Sequence, residues 1–471
     1  MRRIYMDANA TTPLLPEVFE AMRPYWMEHF GNASSIHQQG QHARGAVEQA
    51  RSAVARFLHC LNSEIVFTSG GTESDNLALF GVLSSASEPI HLVTTTIEHH
   101  AVLHAAESLA KNKVEVTFLP AISQGIIEPA ALQAAIRPNT KLVSIMYANN
   151  ETGVIQPIVE LAAIAHAAGA LFHTDAVQAV GRLPLDLSAD GPLKNIDLLT
   201  LSGHKIYGPK GVGVLFVRRN VRLAPMLHGG THERQRRAGT ENVAGIVGLG
   251  KAAELAQAWL ANDAPSTNPR EVPTNPDGVT NPGRVTNPGE VTNSGGVTNL
   301  GGVTNPGGVT NPGAPYLDSE IWASRASATA PAHLNSAEGP TQLTALRDRF
   351  EQTILTQIEE SGVNGAGAPR VSNTSNLYFD HLEAEALVIA LDLKGLSVSG
   401  GSACQSGAAE PSHVLTAMGL SPARARASVR FSLSRLTTEE EIDEALKIIP
   451  TAVARLRELS PAYRKPVPVA V

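Results

Sequence analysis

"SGHKIYGPKG" (residues 202–211) sets a lysine directly after an apolar run, where a partly desolvated amine can act as a nucleophile and form a Schiff base. "TSGGTES" (68–74) leads two glycines into a helical stretch, leaving backbone N–H groups free for a phosphate and adding the Thr72 hydroxyl. "SGGSACQSGAAEPSH" (399–413) holds Cys404, one of two cysteines in 471 residues, among small residues that pack no core. If that cysteine matters, it matters as a thiol. Each stretch alone has a plainer reading: a surface charge, a helix cap, a loop. They gain weight only if the fold brings them together.

Residues 64–217 repeat one theme of apolar run, polar or glycine-rich cluster, then helical stretch. The runs EIVF (64–67), HLVTTT (91–96), KLVSIMY (141–147), ALFHTD (170–175), IDLLTL (196–201) and GVGVLFV (211–217) predict strands. Alanine-rich segments such as IVELAAIAHAAG (158–169), which ends on the glycine expected beyond a helix, predict the helices between them. This alternation specifies an α/β fold with a mainly parallel sheet wrapped by helices. Ligands of open α/β sheets bind beyond the carboxyl ends of the strands. TSGGTESDN, IEHHAV, ANNETG, TDAVQ and SGHK therefore share one edge.

A large domain is expected over residues 16–262 and a smaller α+β domain over 1–15 and 341–471. The smaller one is read from a helix at 341–362 ending at Gly362, the strand SNLYF (375–379), a helix at 383–395 and the strand RASVRFSLS (426–434). Between them, 263–340 is a low-complexity insertion whose centre repeats TNPDGV, TNPGRV, TNPGEV, TNSGGV, TNLGGV and TNPGGV. A hexapeptide period raises a β-helix. One valine per repeat beside Asn-Pro-Gly turn chemistry buries too little, so a disordered surface insertion is expected. Long insertions with adjoining ends cost little, because loop-closure entropy grows logarithmically.

A phosphate site on the same edge as a Schiff-base lysine points to pyridoxal 5'-phosphate (PLP). That cofactor needs a carboxylate at its pyridine nitrogen, and Asp175 ends a strand where it could serve, with Gln178 three residues on within reach of the ring oxygen. His99 ends another strand and could cover the ring face. Metal binding is the rival for His99 and His100, set lower because adjacent histidines are not the i, i+4 pair of a zinc helix. His228 and His232 in HGGTHE lack a clear third ligand and read as a turn, while Cys60 in RFLHCLNSE reads as a buried small side chain.

With 43% hydrophobic residues, net charge -7 and a pI near 6.2, the chain has ample core material and no general attraction to nucleic acid or anionic membrane. The basic run ERQRR (233–237) reads as a solvated face when taken alone. No apolar run reaches the ~20 residues that span a bilayer, and the start lacks a signal-peptide h-region. Two cysteines make no disulfide framework, so a reducing cytoplasm is expected.

Taken together, YMDANATTP, TSGGTESDN, HTDAVQAVG, SGHKIYGPKGVG, HGGTHERQRRAGTEN and GSACQSGAAEPSHVL resemble, in order, the motifs of the cysteine desulfurases. These are PLP enzymes of the class V aminotransferase group, and the segment around Cys404 is similar to group I, the iron-sulfur assembly and nitrogen-fixation branch. The resemblance covers the chain apart from about 263–340. It implies the PLP-dependent transferase fold type I, with a seven-stranded, mainly parallel sheet between helices and a smaller α+β domain. It implies removal of sulfur from L-cysteine, giving L-alanine and a persulfide on Cys404 that passes to an iron-sulfur scaffold or another acceptor protein.

Residue by residue, the resemblance makes Lys205 the Schiff-base lysine and His99 the ring-stacking histidine and a candidate proton relay. Asp175 pairs with the pyridine nitrogen, while Gln178 and Asn150 contact cofactor or substrate. Gly71, Thr72, Ser202 and His204 hold the phosphate, with Thr240 supplied by the other subunit of a homodimer. Arg430 receives the substrate carboxylate. No resident metal is implied, although Cys404 would transiently contact a nascent iron-sulfur cluster. A selenocysteine lyase or class V aminotransferase on the same scaffold is the alternative, but an aminotransferase has no use for Cys404 on a pliable loop. A non-catalytic scaffold would have no use for the set Lys205, Asp175, His99 and Cys404.

Overall fold

Short runs of β-branched and leucine side chains form the strands because alternate residues then enter two separate cores. The computed structural model describes residues 3–84, 89–262, 339–400, 411–460 and 463. These fall in one of the chain's two units, Met1–Ala264 with Asn335–Val471. The hexapeptide repeats and Cys404 lie outside the described residues.

After a short strand β1 (Ile4–Tyr5), the strands β2 (Ile65–Thr68), β3 (Ile90–Thr95), β4 (Val114–Leu119), β5 (Thr140–Ser144), β6 (Leu171–Asp175), β7 (Leu198–Ser202) and β8 (Gly213–Val217) follow. β2 to β8 form a seven-stranded sheet in the order β2-β8-β7-β6-β5-β3-β4. All its pairings are parallel except those of β8, which runs antiparallel to both β2 and β7. The carboxyl ends of β2, β3, β5, β6 and β7 thus share one edge.

Alternation along the strands loads both faces. Phe67, Val93, Phe172, Leu201 and Phe216 pack on one side, with residues of the helices Gln38–Leu58, Ile158–Ala167 and Val243–Ala261. Val66, Leu92, Leu142, Leu198 and Leu215 pack on the other, with the helices Gly71–Leu83 and His100–Ala110. Six of the seven strands follow the apolar runs. The seventh, β4, is an edge strand with only Val114 and Leu119 buried, so its sequence lacks a continuous apolar run.

The remaining strands are β9 (Ser361–Val363), β10 (Thr374–Phe379), β11 (Leu396–Ser397), β12 (Ser399–Gly400) and β13 (Ser428–Ser432). An antiparallel sheet runs β12-β13-β10-β9, and β1 pairs in parallel with β11. Phe350, Phe379, Phe431, Leu387 and Ile449 form the core between this sheet and the helices Pro340–Gln357, Ala384–Leu393 and Glu439–Leu459. The last of these starts on a capping box in which Thr438 accepts from the Glu441 N–H and Glu441 accepts from the Thr438 N–H.

One expectation is corrected. The helix predicted to run to Gly362 stops at Gln357, because Ile358 is extended (φ -123°, ψ 104°) and Glu360 takes a left-handed turn (φ 52°). Ser361–Val363 then pairs with β10 as a strand.

Candidate active site

Lys205 follows β7 on a single turn of 3-10 helix, Gly203–Lys205, at the strand's carboxyl end. Its Nζ donates to the carbonyls of Asn9 (2.5 Å) and Ala10 (2.8 Å), both from the segment that follows β1. Burial lowers its pKa to about 8, helped by Arg430 and Arg182 and opposed by Asp175 and Asp7. An amine poised there loses its proton far more readily than a surface lysine.

Asp175 ends β6 and is fully buried among site residues, with one carboxylate oxygen accepting from the Val177 N–H at 2.9 Å. Burial raises its pKa to about 6, while Lys205 pulls it down. Asp75, on the helix behind it, is pushed well up by burial and then by Asp175, since two carboxylates in a closed space do not both ionise readily. Asp175 is the one with a backbone donor and a nearby cation, so it carries the negative charge.

His99 is the N-cap of the helix His100–Ala110, its Nδ1 accepting from the Ala101 N–H at 3.2 Å. Burial, and then Lys205, lowers its pKa to about 4, so the ring is neutral at pH 7. Next to it, Glu98 accepts from Thr95 Oγ1 and the Met146 N–H, yet burial raises its pKa to about 8.

Gly70 and Gly71 begin the helix Gly71–Leu83. Gly70 has φ 154°, a conformation L side chains rarely adopt, and a Cβ at Gly71 would come within 3.1 Å of Val177. Only glycine leaves that helix start clear on the cavity side.

Gly71, Thr72, His99, Asn150, Asp175, Gln178, Ser202, His204, Lys205 and Arg430 all line one cavity of about 300 Å³. Ten positions read from scattered motifs are therefore brought together. Thr240 is not among them; it lines a separate depression with Phe67, Thr68, Gly239 and Glu241. Cys404 lies outside the described residues, but Ser412 and His413, a few residues on, are placed: Ser412 Oγ donates to Glu151 at 2.5 Å and His413 Nε2 meets the Glu98 carbonyl at 2.9 Å.

Sequence reasoning missed several lining residues: Asn9, Asp75, Met146, Glu151 and His413. Asn9 sat in a quoted motif, but its role depends on a long-range contact. Arg430, expected to receive the substrate carboxylate, already has partners. Its Nη2 pairs with Asp7 at 2.9 Å and its Nη1 donates to the Asn150 carbonyl at 3.0 Å, while the buried Nε has no partner.

His100 and His104 do form an i, i+4 pair, and the ring of His413 lies 4.7 Å from that of His100. Among the described residues, however, no group of three or more histidine, cysteine or carboxylate side chains is arranged to hold a metal. No helix among them is long and apolar enough to cross a membrane.

Residues 4–270 and 321–445 match the class-V aminotransferase family, and the chain belongs to it. Cysteine desulfurase 2 of Trichormus variabilis is 42% identical over 461 residues, covering 98% of this chain and 96% of the relative. Cysteine desulfurase IscS of Methanosarcina thermophila is 40% identical over 465 residues, covering 98% and 95%. Within the family, the chain thus falls among the cysteine desulfurases. Solved structures agree: a NifS-like protein superposes with TM-score 0.73 at 29% identity, covering 96% of this chain and all (100%) of that one. SspA in complex with cysteine gives TM-score 0.64 at 31% identity, covering 91% and 98%.

The cofactor of this family is PLP, and the cavity fits it. Among the residues that line it, Asn150 Oδ1, Gln178 Oε1 and Arg430 Nε are buried polar atoms without partners. Unsatisfied buried groups are costly, so their clustering marks a place shaped for a polar guest. The bare helix start at Gly71 and Thr72 suits a phosphate.

Proposed function

We propose that this chain is a PLP-dependent cysteine desulfurase that converts L-cysteine and its own Cys404 thiol into L-alanine and a Cys404 persulfide. The observation that carries the reading is the convergence of Lys205, Asp175, His99, Gln178 and Arg430 on one cavity. Bound PLP supplies an electron sink that acidifies the substrate Cα and weakens the Cβ–S bond.

The chain's residues then have separate tasks. Gly71, Thr72, Ser202 and His204 would hold the phosphate, and Lys205 would anchor the cofactor through its amine. Asp175 keeps a proton at the pyridine nitrogen. His99, neutral at pH 7, stacks on the ring without adding charge. Arg430 and Asn150 take the substrate carboxylate, Arg430 doing so from its position between Asp7 and the Asn150 carbonyl. The freed Lys205 amine takes the Cα proton.

The Cys404 thiolate attacks the substrate sulfur, forming an S–S bond as the Cβ–S bond breaks. The electron pair of that bond is left on the carbon fragment, which gains a proton at Cβ and leaves as alanine. The balance is one L-cysteine plus one thiol to one L-alanine plus one persulfide. Cys60 is unsuited to this role, since it packs against the core and burial pushes its thiol up to about 12.

The composition and the family resemblance support the finer points of the reading. The chain works as a homodimer in which Thr240, which lines a separate depression, serves the neighbouring cavity. The persulfide passes to an iron-sulfur scaffold or a thiolation relay in the cytoplasm. On this reading residues 16–262 form the large domain, 1–15 and 341–471 the smaller one, and 263–340 an insertion. Lys205→Ala should reduce alanine release from L-cysteine by on the order of 10⁴-fold or more, with loss of borohydride-trapped cofactor. Alanine release at the wild-type rate in that variant would overturn the proposal.

A further inference from the structure

Behind Lys205, on the side away from the main cavity, lies a pocket of about 20 Å³ lined by Arg182, Tyr207, Trp259, Asn373 and Arg435 as well as by Lys205 itself. Arg182 is 8% exposed, and its hydrogen-bond acceptors are two uncharged oxygens: the Gln178 carbonyl at 3.0 Å and Asn9 Oδ1 at 3.5 Å. A buried guanidinium normally finds a carboxylate, because desolvating a cation without one is expensive. Other buried arginines here do so: Arg51 pairs with Glu233 at 2.8 Å and Arg430 with Asp7 at 2.9 Å. Among the described buried arginines Arg182 shares its neutral partners with Arg457, which donates to the carbonyls of Glu359, Glu360 and Asp380, and of these two it is Arg182 that lines the pocket beside Lys205.

Its place explains what such a charge can do. Asn9 is a hub whose carbonyl accepts from Lys205 and Gln178 and whose side-chain oxygen accepts from Arg182 and Asn373. Arg182 thus contacts the side chain of the residue whose main-chain oxygen holds the Lys205 amine, and sets a positive charge in the pocket that Lys205 also lines. We infer that Arg182 is a positioning residue for Lys205, whose uncompensated buried charge disfavours the ammonium form and keeps the amine ready to accept a proton.

The surroundings of Lys205 leave this role open to Arg182. Asp175 beyond β6 and Asp7 from the N-terminal segment favour the ammonium, while Arg430 on β13 opposes it but is paired with Asp7. His99 and His204, both lowered to about 4 by burial first, are neutral at pH 7 and add no charge. Arg435 lies over the Tyr207 ring, 4.2 Å from its centroid, across the small pocket. The guanidinium of Arg182 itself, lowered by burial to about 10, remains charged at neutral pH.

The inference rests on Lys205 being the reactive amine, and its test is kept separate from that reading. The cofactor-free protein is labelled with acetic anhydride across the alkaline range, and the acetylated fraction is read by mass spectrometry at Lys205 and, as an internal control, at the exposed Lys210. Arg182→Gln keeps a donor for the Gln178 carbonyl but loses the charge; Arg182→Lys keeps the charge but loses the fork. Arg182→Gln should move the Lys205 midpoint up by about one pH unit, a tenfold smaller neutral fraction at pH 7. Arg182→Lys should stay near wild type, and Lys210 should not move in either.

An unchanged or lowered Lys205 midpoint in Arg182→Gln, with the fold intact by circular dichroism, would overturn the inference. So would equal upward shifts in both variants, which would assign the effect to lost hydrogen bonds. Should Arg182→Gln not fold, Arg182→Met carries the same prediction. Borohydride trapping of PLP in the wild type reports separately on Lys205 as the anchor.

Discussion

The two halves of the cavity are built by different means. The half assigned to the cofactor takes its residues from strand ends and helix starts of the large sheet: Asp175 ends β6, Lys205 follows β7, His99 caps one helix and Gly71 opens another. The half assigned to the substrate joins the segments carrying Asn9 and Asn150, which lie outside the strands, to the antiparallel sheet that carries Thr374 and Arg430. Asn9 Nδ2 reaches the Asn150 carbonyl (3.1 Å) and Thr374 Oγ1 (2.9 Å), and Arg430 reaches Asn150 and Asp7. In the first half the backbone sets position, and side chains are free to supply chemistry. In the second, the same side chains that would meet substrate also hold the wall together.

That contrast can be broken by mutation. The largest effect after loss of Lys205 is expected from Asp175→Asn, which leaves the β6 backbone intact and removes the charge that holds the pyridine proton. It should lower kcat by roughly 10² to 10⁴-fold with little change in melting temperature. A large loss of stability with near-normal kcat would show that the first half is not backbone-built.

Arg430→Met should act on both counts. Losing charge-assisted contacts costs about 2–3 kcal/mol in kcat/KM, mostly through KM, and stability should fall as well because Asp7 loses its cation and the Asn150 carbonyl one of its two donors. A change in KM with unaltered stability would sink the claim that this wall is held by its own functional groups.

The smallest effect concerns Glu98, buried next to His99. Its folded pKa of about 8 lies above the ordinary glutamate value of 4.5, so above pH 4.5 the unfolded chain ionises freely while the native state keeps its proton. Wild-type stability contributed by this group is therefore full below pH 4.5 and is lost as pH rises toward 8. Glu98→Gln does not titrate and should gain on wild type over that window, by on the order of 1–2 kcal/mol. Denaturant melts of both proteins from pH 5 to 9 check this; a constant difference would mean Glu98 is ionised throughout.

The same contrast explains what was legible in the sequence. Strand ends follow from hydrophobic runs, so Asp175, His99 and Lys205 could be placed on one edge before any coordinates. Asn9 and Arg430 lie at opposite ends of the chain, and only the family resemblance gave Arg430 a role. Its pairing with Asp7 spans 423 residues and follows from no local pattern. Glu151 and Asp75 were missed because a carboxylate inside a motif looks like a cap or turn residue until burial is known. β4 was missed because an edge strand need not be continuously apolar, and the early end of the helix Pro340–Gln357 because a left-handed Glu360 carries no signal in its residue type.

The account's central claim is that sulfur from L-cysteine arrives on Cys404, and mass spectrometry of the holoenzyme tests it most directly. After brief incubation with L-cysteine, alkylation and digestion without reductant, the peptide containing Cys404 should carry one additional sulfur atom, matched by one alanine released. The peptide containing Cys60 should carry none. Stoichiometric alanine with the extra sulfur on Cys60, or with none on Cys404, would contradict the account.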